Sequence, residues 1–594
     1  MTRPPVSSRW RALAALALLV PIAVSAGCRR RGPAGPVGPA GPFDATALPA
    51  PTDLRLRAHP GGPPRYVLRW NLDQPDTAIG AFAIYASTQP MPFADPQALV
   101  AAVDGALRSA EIELAADTGL RHLRVAGISE AGVTGALSAE LVVDTIGRIV
   151  FEAATTQDIG DLYAVHPATG APAIRVSEGT LPSLSRPHRL SPDGRRAAFL
   201  GVVAGDPQLV SGPLDGSDAP ATLSPGLGVF SRFVPAFEWS PDGRRVAFVT
   251  GDDLPDLLEV YVATPGSGAP PTKVSGTMVP GGTVWLASTV RGGASAAQGV
   301  LSWSPDNRRV AYLATQRDES IPEVMVAAAD GIGEPVPANG AATASGAMAF
   351  AWSPDGARLA VLDRGAGTNQ LFVTTATPGA APVPLPDRAD GSGAPSPGFA
   401  WSPDGSRLLY AGAARAPGFA ELFVADPTGA TAPVTLLPEP VAATTFSGTW
   451  SPDGTQVAFL AQLDETVELF VSPATGGAAP AAVSGSSRPG VGVQGFAWSP
   501  DGAQLAFLAA TAQQTTALFV ANPGVAAEPL QVSPAFDQVR EFAWSTSGDR
   551  LAWIHDDGDT TPALRSVSRL GGAATTLLSQ DGLGALSWSR LGAR

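Results

Sequence analysis

The pentapeptide WSPDG occurs intact five times, beginning at Trp239, Trp352, Trp401, Trp450 and Trp498. Four variants complete the set: LSPDG at Leu190, WSPDN at Trp303, WSTSG at Trp544 and WSRLG at Trp588. The steps from each to the next are 49, 64, 49, 49, 49, 48, 46 and 44 residues. A period in the forties means that one supersecondary unit is written repeatedly, and such a unit cannot bury both of its faces alone.

Local chemistry says what the unit is. Pro sets φ at the second position of a turn, Asp suits the third, and Gly accepts the positive φ that ends it. Ahead of the turn run Phe350-Ala351-Trp352, Phe399-Ala400-Trp401, Phe496-Ala497-Trp498 and Phe542-Ala543-Trp544. Phe and Trp then share one face of a strand, and the small Ala takes the other. A second strand follows the turn, as in Arg358-Leu359-Ala360-Val361-Leu362, then a third, as in Glu421-Leu422-Phe423-Val424. A short fourth strand, such as Ala482-Val483-Ser484, completes a four-stranded antiparallel sheet. Four strands in this period make a propeller blade, and each aromatic pair is expected to pack on a neighbouring blade.

The last copy, at Trp588, supplies a first strand and turn with nothing after it, whereas Arg148-Ile149-Val150-Phe151 reads as a second strand with no first. The C-terminal strand is therefore expected to complete the blade that residues 148–178 begin, removing both free sheet edges. Counting first strands gives nine blades, with eight as the alternative. The step of 64 marks an insertion of about fifteen residues around positions 281–297.

These units resemble PD40 repeats, the TolB-type, WD40-like propeller repeats, over about 445 residues. The resemblance implies an all-β fold with a propeller over residues 146–594. Members of that family include periplasmic envelope proteins that bind protein partners, and propellers attached to serine peptidases of the prolyl oligopeptidase type. Those peptidases carry their serine on a separate α/β-hydrolase domain; no such domain and no G-x-S-x-G elbow is found here.

Residues 49–145 alternate with period two in short runs, the pattern of an antiparallel sandwich. APTDLRL, YVLRWN, FAIYAS and LRVAGISEAG resemble, in order, successive strands of fibronectin type III domains. Arg121 stands where that family places its corner tyrosine, so the turn there must be held differently. The resemblance implies a spacer.

Residues 1–27 have a basic start (Arg3, Arg9, Arg11), an apolar run from Ala12 to Val24 and small residues before Cys28, the pattern of an export signal. Val24-Ser25-Ala26-Gly27-Cys28 resembles the lipobox of bacterial lipoproteins, with Ser25 where Leu is usual; the resemblance implies a lipid on Cys28 and membrane anchoring. Arg29 rather than Asp after it implies the outer membrane. Residues 28–48 contain GPAGPVGPAGPF, a stiff polyproline-like tether. Cys28 is the only cysteine, so no disulfide is expected.

The net charge of −14, and the lack of a basic stripe, argue against a nucleic-acid partner. Five histidines occur, His59, His122, His166, His188 and His555, none with a second histidine at metal-ligand spacing. No metal, cofactor or catalytic residue is expected. Partner contact is assigned to the face bearing the second-to-third-strand and blade-to-blade loops, through Phe230, Arg232, Phe233, Trp285, Arg291, Arg317 and Arg540. The expected product is a non-catalytic envelope lipoprotein whose propeller is a protein-binding platform. The alternative is a glycan- or peptide-acting enzyme, or a carbohydrate-binding protein, using the propeller funnel.

Overall fold

The structure is a computed structural model. It describes residues 48–588 except 59–64, 73–78, 88–90, 92–93, 95, 115–119, 131, 139–140, 145–146, 157–158, 168–171, 178–187, 204–205, 225–235, 252–256, 286–299, 339–345, 365–368, 376–380, 386–394, 414–419, 437–447, 464–465, 486–491, 512–514, 525–527, 536, 557–560 and 580–582. The chain divides into two compact units between Ile146 and Gly147. Among the described residues no helix is long and apolar enough to cross a membrane.

The first unit contains β1 (Thr52–Ala58), β2 (Arg65–Asn71), β3 (Ile79–Ser87), β4 (Leu99–Asp104), β5 (Ser109–Glu113), β6 (Leu120–Ser129), β7 (Thr134–Leu137) and β8 (Leu141–Asp144). One sheet has the order β1-β2-β5, and the other β4-β3-β6-β7 with β8 also on β6. Alternation puts Leu68, Trp70, Ala110 and Ile112 of the first sheet against Phe82, Ile84, Leu123 and Val125 of the second, in one buried cluster. Trp70 meets Phe82 edge-on, with ring centroids 5.3 Å apart. Arg121 is buried on β6, in register with Val143 of β8.

The second unit consists, among the described residues, of nine four-stranded antiparallel sheets, the blades of a β-propeller. Blade 1 joins Leu583–Trp588 to Ile149–Thr156, Ile159–Val165 and Ile174–Arg175. Its ladder sets Trp588 opposite Ile149 and Leu583 opposite Ala153, so the C-terminal strand completes the sheet opened just after the sandwich. The first strands of blades 2 to 9 are Arg189–Leu190, Ala236–Trp239, Leu301–Trp303, Ala347–Trp352, Pro395–Trp401, Gly448–Trp450, Val493–Trp498 and Val539–Trp544.

Each SPDG turn is a closed local network. In blade 5 the Gly356 N–H donates to the Ser353 carbonyl at 2.8 Å, and the Ser353 N–H to the Arg358 carbonyl at 2.9 Å. The Ser353 hydroxyl donates to Asp355 and accepts from the Arg358 N–H, while Asp355 also accepts from the Ala357 N–H. Gly356 has φ +68°, and a Cβ there would lie 3.2 Å from Pro305 of the preceding blade's turn. Strain and a tight contact thus both favour glycine. In the WSPDN copy Asn307 takes φ +62°, a conformation Asn tolerates.

The aromatic pair packs on the preceding blade. Phe350 and Trp352 share a buried cluster with Leu313, Val324 and Val326 of blade 4, while Ala351 lies on the opposite face with Phe399 and Trp401 of blade 6. Seven tryptophan indoles repeat one bond: Trp239, Trp303, Trp352, Trp401, Trp450, Trp498 and Trp544 donate to a first-strand carbonyl of the blade before, at 2.9–3.4 Å. An arginine completes the seam from the other side. Arg245, Arg309 and Arg358 lie over the rings of Trp303, Trp352 and Trp401, at 4.9, 4.7 and 5.2 Å. Arg358 also donates to the Gly405 carbonyl at 2.8 Å, so one side chain holds both ring and turn of the next blade.

Two predictions follow from this packing. Trp401→Phe, which keeps an aromatic ring but loses the bond to the Ala351 carbonyl and part of the buried ring volume, should lower stability by about 1–3 kcal/mol. Trp401→Ala, which also leaves a cavity, should cost about 3–5 kcal/mol; both are read from urea midpoints. The second concerns acid. The Ser353 hydroxyl and the Ala357 N–H hold the Asp355 carboxyl below its usual range, and Ser402 with the Ser406 N–H does the same to Asp404. Stability from a depressed carboxylate is present above the unfolded-state value and disappears as pH falls through the folded one. Wild type should exceed Asp355→Asn at pH 7, and the gap should shrink as pH drops below about 4; a gap constant from pH 7 to 3 would refute the assignment.

Candidate functional site

Because each indole reaches the preceding first strand, the first strands are neighbours from blade to blade and form the inner edge of the array. Strand direction alternates, so the SPDG turns lie on one face. The loops joining second to third strands, and blade to blade, lie on the other. Where the first strands begin, on this loop face, several depart from regular pairing. Register shifts lie between Ala347 and Ala349, Val493 and Gly495, and Val539 and Glu541. The residues left out of the ladder are Met348, Gln494 and Arg540. Gln494 and Arg540 are exposed beside buried Val493 and Val539.

In blade 4 the first strand is Leu301–Trp303, and beyond it the opening residues of the insertion pair with the second strand. Val284 bridges to Ala314, and the Trp285 N–H donates to the Leu313 carbonyl at 2.8 Å. Further bonds pin this segment to two blades. The Val284 N–H reaches the Leu258 carbonyl at 3.0 Å, and the Val279 N–H reaches that of Gln316 at 3.1 Å. The Thr283 hydroxyl accepts from the Leu258 N–H at 2.9 Å, and the Thr283 N–H donates to the Thr315 hydroxyl at 3.0 Å. Val284 is 1% exposed and Trp285 43%, so a buried plug fixes the backbone beneath a solvent-facing indole.

Nearby polar groups are mostly engaged. Arg317 donates from Nε to Glu323 at 2.8 Å and from a terminal nitrogen to the other carboxylate oxygen, and this bonding raises its affinity for its proton. Burial pushes the Tyr312 phenol far up, and its hydroxyl donates to Gln316 at 2.8 Å. On blade 9, Arg540 pairs with Asp556 at 2.9 Å. Beside it, buried Asp537 accepts from the Trp553 indole at 3.1 Å and from Arg565, and the Gln538 N–H donates to His555 Nδ1 at 3.2 Å.

Of the residues expected to meet a partner, Trp285 and Arg317 come to the same end of blade 4, and Arg540 lies five blades further on. Phe230, Arg232, Phe233 and Arg291 fall outside the described residues, as does Cys28. Met348 and Gln494 were missed, although the sequence holds a signal for such positions. One residue too many separates the buried Val493 or Val539 from the Phe-Ala-Trp that follows. Asp537 gave no such signal, since its partners come from two other strands.

The opposite face has a depression of about 610 Å³ at the WSPDN copy, lined by Arg245, Asp306, Asn307, Arg308, Arg309 and Asp330. Two of its arginines are the ones laid over Trp303 and Trp352. Among the described residues no group of three or more His, Cys, Asp or Glu could hold a metal ion. The loop face thus offers a rigid aromatic anchor amid satisfied ion pairs, which suits contact. Trp285→Ala should change stability by less than about 0.5 kcal/mol, whereas Val284→Ala should lower it by about 1–3 kcal/mol in the same urea titration.

No protein-family model matches this chain, and no curated protein does. Among solved structures, a protein assigned as TolB from Agrobacterium tumefaciens is similar at 16% identity, over 41% of this chain and 83% of that one, with a TM-score of 0.27. A eukaryotic initiation factor is similar at 13% identity, over 75% and 98%, with a TM-score of 0.49. An oligogalacturonate lyase in complex with manganese is similar at 14% identity, over 47% and 76%, with a TM-score of 0.33. Likenesses this low transfer no activity, substrate or partner to this chain.

Proposed function

We propose that this protein is a non-catalytic lipoprotein of the bacterial cell envelope, whose propeller is a protein-binding platform. In this reading residues 1–27 are an export signal and Cys28 carries the lipid. Residues 28–48 are a tether, residues 49–145 a spacer of the fibronectin type III kind, and residues 146–594 a closed nine-bladed ring. Anchorage is to the outer membrane. The sandwich supports the spacer: its two sheets bury one apolar layer between them, and the larger sheet packs a second small cluster of Ala83, Tyr85, Met91 and Ala126 on its other face.

One observation carries the binding function. Trp285 is an exposed tryptophan on backbone hydrogen-bonded to both flanking blades, and it heads the one insertion in the repeat. Binding energy concentrates on a few aromatic and arginine residues, and a pre-ordered anchor loses little entropy when it docks. Arg291, six residues on, supplies the matching charge.

Cross-linking and pull-down from intact envelopes tests this, comparing wild type with Trp285→Ala/Arg291→Ala. The expected result is a specific protein captured by wild type and lost from the variant. An unchanged capture list would move the site off this loop, and turnover of a glycan or peptide library would sink the non-catalytic reading. Independently, Cys28→Ser should shift the protein from the membrane pellet to the soluble fraction after carbonate washing. A variant that still pellets would refute the lipid anchor.

A further inference from the structure

The seams between blades repeat one apolar contact. The residue two before each turn tryptophan packs in one cluster with the residue six after the turn glycine or asparagine of the preceding blade. Phe237 meets Leu200, Leu301 meets Val249, Phe350 meets Leu313 and Phe399 meets Leu362, each pair within one buried cluster. Phe496 with Leu460 and Phe542 with Leu508 continue the series. At the seam of blades 6 and 7 the same positions are the small residues Ala411 and Gly448.

At the seam of blades 1 and 2 those two positions are Glu152 and His188. Their side chains are 1% and 3% exposed, and His188 Nδ1 faces Glu152 Oε1 at 3.5 Å. Neither Glu152 Oε2 nor His188 Nε2 has a hydrogen-bond partner among the described residues. Glu152 stands opposite Leu162 in its own sheet, and the same seam packs Val150, Leu162 and Ala164 of blade 1 with Phe199 and Val210 of blade 2. A buried pair of this kind seldom adds stability over an apolar pair of similar size, yet losing one partner is costly. What it adds is a choice of neighbour.

That choice matters at this seam. Glu152 lies on the strand that receives the C-terminal strand, in register with Gly584. The apolar seams are so alike that blade 9, offering Ile554 at the same position, could dock directly on blade 2 and close eight blades. Blade 1 would then be left out. We infer that Glu152 and His188 form a register key that makes blade 1 an obligatory member of the ring. In an eight-blade closure His188 would press on Ile554 with no partner, and the nine-blade closure alone pairs it. The inference rests on the closed nine-bladed ring proposed above.

The test is Glu152→Leu/His188→Phe, which rebuilds the contact of the other seams, beside each single change, in the full chain. After refolding from urea, limited proteolysis with mass spectrometry reads how much blade 1 is cut, and thermal melting reads stability. The expected result has three parts. Each single change lowers the melting temperature, and the double change restores or raises it. The double variant nevertheless refolds with a several-fold larger fraction cleaved within residues 148–178. A double variant as protected as wild type, or single variants as stable as wild type, would overturn the key. Wild-type blade 1 cut as readily as an open strand would instead overturn the closed ring on which the inference stands.

Discussion

The propeller depends on a tryptophan that belongs to two blades at once. Its ring fills the gap against the preceding blade, its N–H satisfies a carbonyl on that blade's first strand, and in three seams an arginine of that blade covers its face. A four-stranded sheet with bare faces has no independent stability. The seam therefore supplies what the blade lacks, and because donor and acceptor stand at the same repeat positions, one solution serves nearly every blade.

The turns add a second tier of contact between blades. The serine, aspartate and glycine of SPDG satisfy one another locally, so the hairpin needs no partner to be specified. Its proline then touches the next turn's glycine, with ring carbons near 3.2–3.3 Å from where a Cβ would stand at Gly356, Gly405, Gly454 and Gly502. Local closure of each hairpin and contact between hairpins thus come from the same four residues. Departures from the repeat are correspondingly informative. The insertion that sets Trp285 into the start of blade 4, the bulges at Met348, Gln494 and Arg540, and the Glu152–His188 seam each break a rule that the other blades obey.

Much of this was legible in advance, and for an identifiable reason. Strand order inside a blade follows from period-two alternation around a turn whose residues allow one hairpin. The pairing of Trp588 with Ile149 followed from counting, since a first strand without a second and a second without a first can satisfy each other only together. The face on which Phe350 and Trp352 lie was readable from their spacing, but the blade they cover was not. Nothing in Phe-Ala-Trp distinguishes the preceding blade from the following one. Nor did a scan for histidine pairs reveal His188, because its partner is a carboxylate 36 residues earlier.

The sequence by itself determined the unit, its period and the turn that builds it, because these rest on interactions within a few residues of chain. Only the tertiary structure decided what each polar side chain answers to. It placed Arg358 over Trp401, Arg317 on Glu323 and Asp537 between Trp553 and Arg565. It also decided that Val284 is buried while Trp285 beside it faces solvent. Those outcomes depend on how far one sheet stands from the next and on which face it turns toward it, and no local pattern of residues encodes either quantity.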